Sequence, residues 1–111
     1  MKKLSGKNAF ISGSSRGIGL ACAKAIAEQG ANVFLVATNE VLLKEVTSAI
    51  QQRSAVQVGF HAVDLRTLEG CQQASHAFLE RFGQADILGD ERCNLVWNTK
   101  SKIDHGTLEE F

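Results

Sequence analysis

Residues 12 to 19 read Ser-Gly-Ser-Ser-Arg-Gly-Ile-Gly, three glycines between an apolar β-type run, Asn8-Ala9-Phe10-Ile11, and a helical pattern that opens at Ile18. A plain strand-to-helix turn needs one glycine, not three in register. Glycine admits backbone angles and close approaches that a Cβ forbids, and the following helix offers unpaired N–H groups and the positive end of its dipole. The loop therefore predicts a dinucleotide phosphate site held by Gly13, Ser15, Arg16, Gly17, Ile18 and Gly19. Its spacing is G-x-x-x-G-x-G instead of the commoner G-x-G-x-x-G, which narrows the choice among nucleotide-binding α/β folds.

From residue 8 to residue 88 strand-like and helix-like stretches alternate, the order that builds a parallel sheet covered by helices. A first strand is expected over 8–12, and a helix follows with Ile18, Ala21, Cys22, Ala25 and Ile26 at helical spacing and Gly30 as its stop. Residues 32–37, Asn-Val-Phe-Leu-Val-Ala, are continuously apolar, as a strand buried on both faces should be. Thr38 or Asn39 can cap the next helix, which carries Leu42, Leu43, Val46, Ala49 and Ile50 on one stripe and ends near Arg53. Residues 56–63 predict a third strand ending at Asp64-Leu65. A third helix is expected over 67–82, with Cys71, Ala74, Phe78 and Phe82 on one side and Gly83 closing it. Ala85-Asp86-Ile87-Leu88 opens a fourth strand. The alternation then breaks at Gly89-Asp90-Glu91-Arg92, because three consecutive charges in a central strand carry a prohibitive desolvation cost. Residues 89–104 are expected as an aberrant loop or a frame-disrupted segment, with a nascent helix at the Thr107 cap.

The 111 residues suit one domain, and a 44% apolar content is ordinary for a globular core. Twelve basic residues balance twelve acidic ones, which speaks against nucleic acid or an anionic membrane as partner. No apolar run reaches membrane-spanning length, and Met1-Lys2-Lys3-Leu4 continues into Ser5-Gly6-Lys7 without a signal-peptide core, so a cytoplasmic location is expected. Cys22, Cys71 and Cys93 have neither metal-ligand nor C-x-x-C spacing and read as reduced thiols, the first two packed in the core. No metal is expected. His61 lacks a partner at ligand spacing and reads as an ordinary strand residue.

Taken with the glycine loop, the second strand and Asp64-Leu65, residues 5–88 resemble the N-terminal part of a short-chain dehydrogenase/reductase, and residues 105–111 are similar to the start of a later family helix. The resemblance implies an α/β fold, a partial Rossmann sheet of doubly wound parallel strands with helices on both faces. Residues 1–111 would then be the N-terminal part of a single NAD(P)-binding domain. The family loop is Thr-Gly-x-x-x-Gly-Ile-Gly, and Ser12 takes the threonine place with a hydroxyl that can hold the turn. By the same resemblance Asp64, with Leu65 beside it, would bond the adenine amino group. Thr38 and Asn39 would meet the adenosine ribose.

A carboxylate ending the second strand would accept bonds from the NAD ribose and repel the NADP 2′-phosphate. This chain has Ala37-Thr38-Asn39 there, no acid before Glu40, and Arg16 in the loop, so the expected cofactor is NADP over NAD. The family reaction passes a hydride between nicotinamide and a carbonyl or alcohol, with a Tyr-x-x-x-Lys pair trading the proton. This sequence contains no tyrosine, so no catalytic residue is assigned and a cofactor-binding fragment without chemistry of its own is expected. The family turn after the fourth strand, Asn-Asn-Ala-Gly-like, is also missing. If Gly89 to Arg92 were encoded GGT-GAT-GAA-CGC, reading one nucleotide later gives Val-Met-Asn-Ala, which motivates the frame-disruption reading. The helices that commonly form family oligomer interfaces are absent from these residues. Two rival readings stand beside this one: a non-catalytic nucleotide-binding or regulatory interaction module, and a different Rossmann enzyme such as a methyltransferase, which the glycine spacing and Asp64-Leu65 disfavour.

Overall fold

Each apolar run that precedes a helical pattern becomes a strand, and the helices between them force these strands to lie parallel. The computed structural model describes residues 3–90, 94–99 and 102–106. In chain order the elements are β1 (Asn8–Ser12), α1 (Gly17–Glu28), β2 (Asn32–Ala37), α2 (Glu40–Arg53), β3 (Val58–Ala62), α3 (Leu68–Phe82), β4 (Ile87–Gly89), β5 (Leu95–Thr99) and β6 (Lys102–Gly106). They form a six-stranded sheet in the order β3-β2-β1-β4-β5-β6. The first four strands are parallel, and β5 and β6 join antiparallel. The chain winds outward from β1 through β2 to β3, then returns through α3 to place β4 on the other side of β1.

Alternation along the strands sorts side chains between the two faces. Ala9 and Ile11 of β1 and Val33 and Leu35 of β2 meet Cys22, Ala23 and Ile26 of α1 and Leu43, Val46 and Ile50 of α2, all buried. On the opposite face Phe10 and Phe34 meet Ala74, Phe78 and Phe82 of α3. Phe78 lies 5.5 Å, ring centre to ring centre, from each of Phe10, Phe34 and Phe82, in edge-to-face contacts. Such pairs add roughly 0.5–1.5 kcal/mol each beyond area burial. At the opposite end of the sheet from the glycine loop, Asn8 Nδ2 donates to the Phe82 and Gln84 carbonyls at 3.3 and 3.2 Å, and its Oδ1 accepts from Asn32 Nδ2 at 3.0 Å. One side chain thereby ties β1, β2 and the approach to β4 together.

The structure departs from the sequence reading in several places. The buried stripe of α1 is Gly19, Cys22, Ala23, Ile26 and Ala27, while Ile18 and Ala21 are exposed. Cys71 is exposed on α3 rather than packed in the core, its Sγ donating to the Leu65 carbonyl at 3.1 Å. Cys22 is buried as expected but is in a disulfide, which corrects the reading of a reduced thiol at that position, while Cys71 is free as expected. Cys93 lies outside the described residues. The segment 89–104, expected as a loop, contains β5 and the start of β6; β4 does end at Gly89, before Asp90. Asp90 closes the connection, its Oδ1 accepting from the Asn94 N–H at 3.0 Å and its Oδ2 from Asn94 Nδ2 at 3.2 Å. His105, assigned to the approach of a terminal helix, is in β6, and the cap expected at Thr107 lies outside the described residues. Among the described residues no helix is long and apolar enough to cross a membrane.

Candidate nucleotide-binding site

The glycine loop is pulled down onto the strand ends by its own backbone. Gly13 N–H donates to the Val36 carbonyl at 2.8 Å, and Ser14, wholly buried, donates from Oγ to the Ile11 carbonyl at 3.0 Å. Ser12 Oγ reaches the Gly89 carbonyl at 3.4 Å, tying the ends of β1 and β4 where the winding direction of the sheet reverses. In open α/β sheets that switch point, outside the carboxyl ends of the strands, is where ligands bind. Gly13 and Gly17 hold φ of 62° and 64°, the left-handed region that costs other residues roughly 1–2 kcal/mol. Apart from its chain neighbours and its own helix backbone, a Cβ on Gly17 would meet no atom of the described residues within 4 Å. Packing therefore does not require that glycine; the backbone angle and the open space above it do.

The open space is a cleft of about 530 Å³ that spans the carboxyl ends of β1, β2 and β3. Gly13, Ser15, Arg16, Gly17 and Ile18 line one side, and Thr38 and Leu65 line the other. None of the lining residues is acidic. Arg16 is the extended residue before α1 and is exposed; no side chain caps the helix, and its first turn holds no acid. The other two helices differ: Asn39 Oδ1 accepts from the Leu42 N–H at 3.1 Å to cap α2, and Thr67 Oγ1 accepts from the Gly70 N–H at 2.9 Å to cap α3. The α1 terminus thus brings the positive end of its dipole, uncapped by any side chain, to a cleft wall without negative charge.

Three of the expected site residues are outside the cleft lining itself. Gly19 is buried inside α1, where the lack of a Cβ permits close packing on the sheet. Asn39 caps α2 through its Oδ1, which settles the choice of cap between Thr38 and Asn39 and leaves its Nδ2 outside that bond. Asp64 is outside the cleft lining and is bound to Arg66, whose Nη2 lies 3.0 Å from Oδ2. The side-chain hydrogen bond from Arg66, with a second from its backbone N–H, holds the Asp64 carboxyl below the usual aspartate range. Sequence reasoning missed Val36, Ala37 and Val63 in the lining, although each sits at the end of a strand it had placed. It also missed Gly70, where a Cβ would strike the Asp64 carbonyl oxygen. Gly70 sits inside a helical pattern, where glycine usually carries no positional message.

Comparison with known proteins assigns this arrangement to a family. The family described as short chain dehydrogenase matches residues 7–95, most of the chain, including the glycine loop, all three cleft-lining strand ends and Asp64-Leu65. The chain belongs to the short-chain dehydrogenase family. It is 34% identical over all 111 residues to the 7alpha-hydroxysteroid dehydrogenase of Clostridium sardiniense, covering 42% of that protein. Among solved structures it resembles L-sorbose reductase from Gluconobacter frateurii, complexed with NADPH and L-sorbose, with 35% identity and a TM-score of 0.77 over 99% of this chain and 39% of that one. It also resembles 3-ketoacyl-(acyl-carrier-protein) reductase from Brucella melitensis, complexed with NADH, with 31% identity and a TM-score of 0.70 over 78% of this chain and 34% of that one. The chain therefore spans less than half the length of these relatives. Family members with this half-sheet are found with either dinucleotide.

Proposed function

We propose that residues 1–111 are the N-terminal part of one dinucleotide-binding domain and hold the adenosine and pyrophosphate half of NADP, in the manner of an oxidoreductase that exchanges hydride with a carbonyl or alcohol. The observation that carries this reading is the α1 terminus, with no side-chain cap, opening on a cleft walled by Gly13, Ser15, Arg16, Gly17 and Ile18. Those residues would take the pyrophosphate, Thr38 and Asn39 the adenosine ribose, and Asp64 and Leu65 the adenine, with Gly19 letting α1 pack closely behind the loop. NADP is favoured over NAD by charge. The first acid after β2 is Glu40, which begins α2 and pairs with Lys44 at 3.7 Å, while Arg16 leaves the wall cationic. The nicotinamide of the bound cofactor would supply the hydride. The chain offers no tyrosine to move the accompanying proton, so these residues bind without turnover.

Isothermal titration of the chain with NADPH and NADH tests the reading. Binding of NADPH about tenfold or more tighter than NADH, lost in Gly17→Val, is the expected outcome, with no oxidation of NADPH in the presence of simple ketones. Equal affinity for the two cofactors would overturn the NADP assignment. Binding unaffected by Gly17→Val would overturn the loop as the phosphate site.

A further inference from the structure

Arg66 lies one residue beyond the cleft-lining Leu65 with an 89% exposed side chain, yet its backbone and guanidinium both bond a single group, the Asp64 carboxylate. Its backbone N–H donates to Asp64 Oδ1 at 2.9 Å. Its Nε lies 3.1 Å from Oδ1 and 3.3 Å from Oδ2, and its Nη2 lies 3.0 Å from Oδ2. An ionised carboxylate offers about four lone-pair sites. Three N–H groups of one residue take most of them, the Nε–H being shared between the two oxygens. The amino group of a nucleotide base is itself a donor and must share an oxygen that Arg66 already engages.

We propose that Arg66 is a latch on Asp64, so that a base competes with the guanidinium for this carboxylate and engages it fully when the guanidinium lets go. The inference rests on the proposed reading of Asp64 as the residue facing the base of a bound dinucleotide. The loop does not need the latch for its shape. Thr67 Oγ1 donates to the Asp64 carbonyl at 3.1 Å, and Gly70 packs against that same carbonyl, so the backbone at Asp64 is held from the α3 side. The latch is also weak enough to be displaced, because an exposed ion pair contributes little. A guanidinium at this position could instead hold a cofactor phosphate. The two roles predict opposite signs: removing a phosphate ligand weakens binding, whereas removing a competitor for Asp64 tightens it.

Isothermal titration of the full chain with NADPH, and with the matching dinucleotide carrying hypoxanthine in place of adenine, separates these. Hypoxanthine puts a carbonyl oxygen where adenine has its amino group. Arg66→Ala should tighten NADPH binding by about two- to fivefold, the range an exposed ion pair of up to ~1 kcal/mol allows. It should not tighten the hypoxanthine dinucleotide. Arg66→Lys, which keeps the charge but loses the fork, should lie between wild type and Arg66→Ala. Weaker binding of NADPH in Arg66→Ala overturns the latch and makes Arg66 a phosphate ligand. An equal effect on both dinucleotides, or none, with binding still lost in Gly17→Val, overturns the latch and leaves the cleft assignment intact. No NADPH binding by any form overturns the cleft assignment itself, and the latch with it.

Discussion

Single residues fix the shape of the cleft more than its chemistry. Gly13 and Gly17 were legible because three glycines in register between a strand and a helix mark a backbone that a Cβ would forbid. Ser14, Arg66 and Gly70 were not. A fully buried serine looks in sequence like any loop serine, and a glycine two residues into a helix looks like a weak helix former. Gly70 nevertheless leaves room for the Asp64 carbonyl, which in turn accepts from Thr67 Oγ1. Gly70→Ala gains about 1 kcal/mol of helix propensity but forces a backbone carbonyl aside at a cost of roughly 1–3 kcal/mol. The expected result is a lower melting temperature by circular dichroism; a higher one would show that the 64–67 turn yields freely.

At the scale of elements, the three helices and the four parallel strands could be read because strand-like and helix-like stretches alternate from residue 8 to residue 88. The antiparallel hairpin could not. Asp90-Glu91-Arg92 excludes a continuing parallel strand, and that reasoning holds, but it says nothing of a chain that turns back through Asp90 and Asn94. Leu95-Val96-Trp97 was too short an apolar run to stand out, and β6, Lys-Ile-Asp-His-Gly, holds a single large apolar residue. The pairing Gly89↔Leu95 puts Leu95 against Ile11 and Ile87 in the core, 1% exposed, while neighbouring Leu88 points to the other face, 48% exposed. Leu95→Ala should therefore cost roughly 2–5 kcal/mol, and Leu88→Ser should fall within about 0.5 kcal/mol of wild type in urea unfolding. Equal effects of the two would contradict this register.

For the molecule as a whole, one sheet carries two apolar layers, α1 and α2 on one face and the phenylalanine cluster under α3 on the other. The Cα radius of gyration is 12.7 Å, against about 13 Å expected for a domain of this length, so the hairpin adds to the body of the sheet instead of trailing from it. The exposed edge at β3 is partly blunted where Arg81 Nη2 donates to the Val58 carbonyl at 3.3 Å. Strand order and the reversal at β1 place the cleft; the glycine loop and α1 give it its anion-binding wall; family membership agrees with both. The central claim is that this cleft takes the phosphate and adenosine portion of a dinucleotide. A 15N-labelled sample titrated with NADPH tests it most directly. Backbone amide shifts concentrated at Gly13 to Gly19, Val36 to Thr38 and Val63 to Arg66 are the predicted result, and a chain that is folded yet shows no shift there at millimolar NADPH would contradict it.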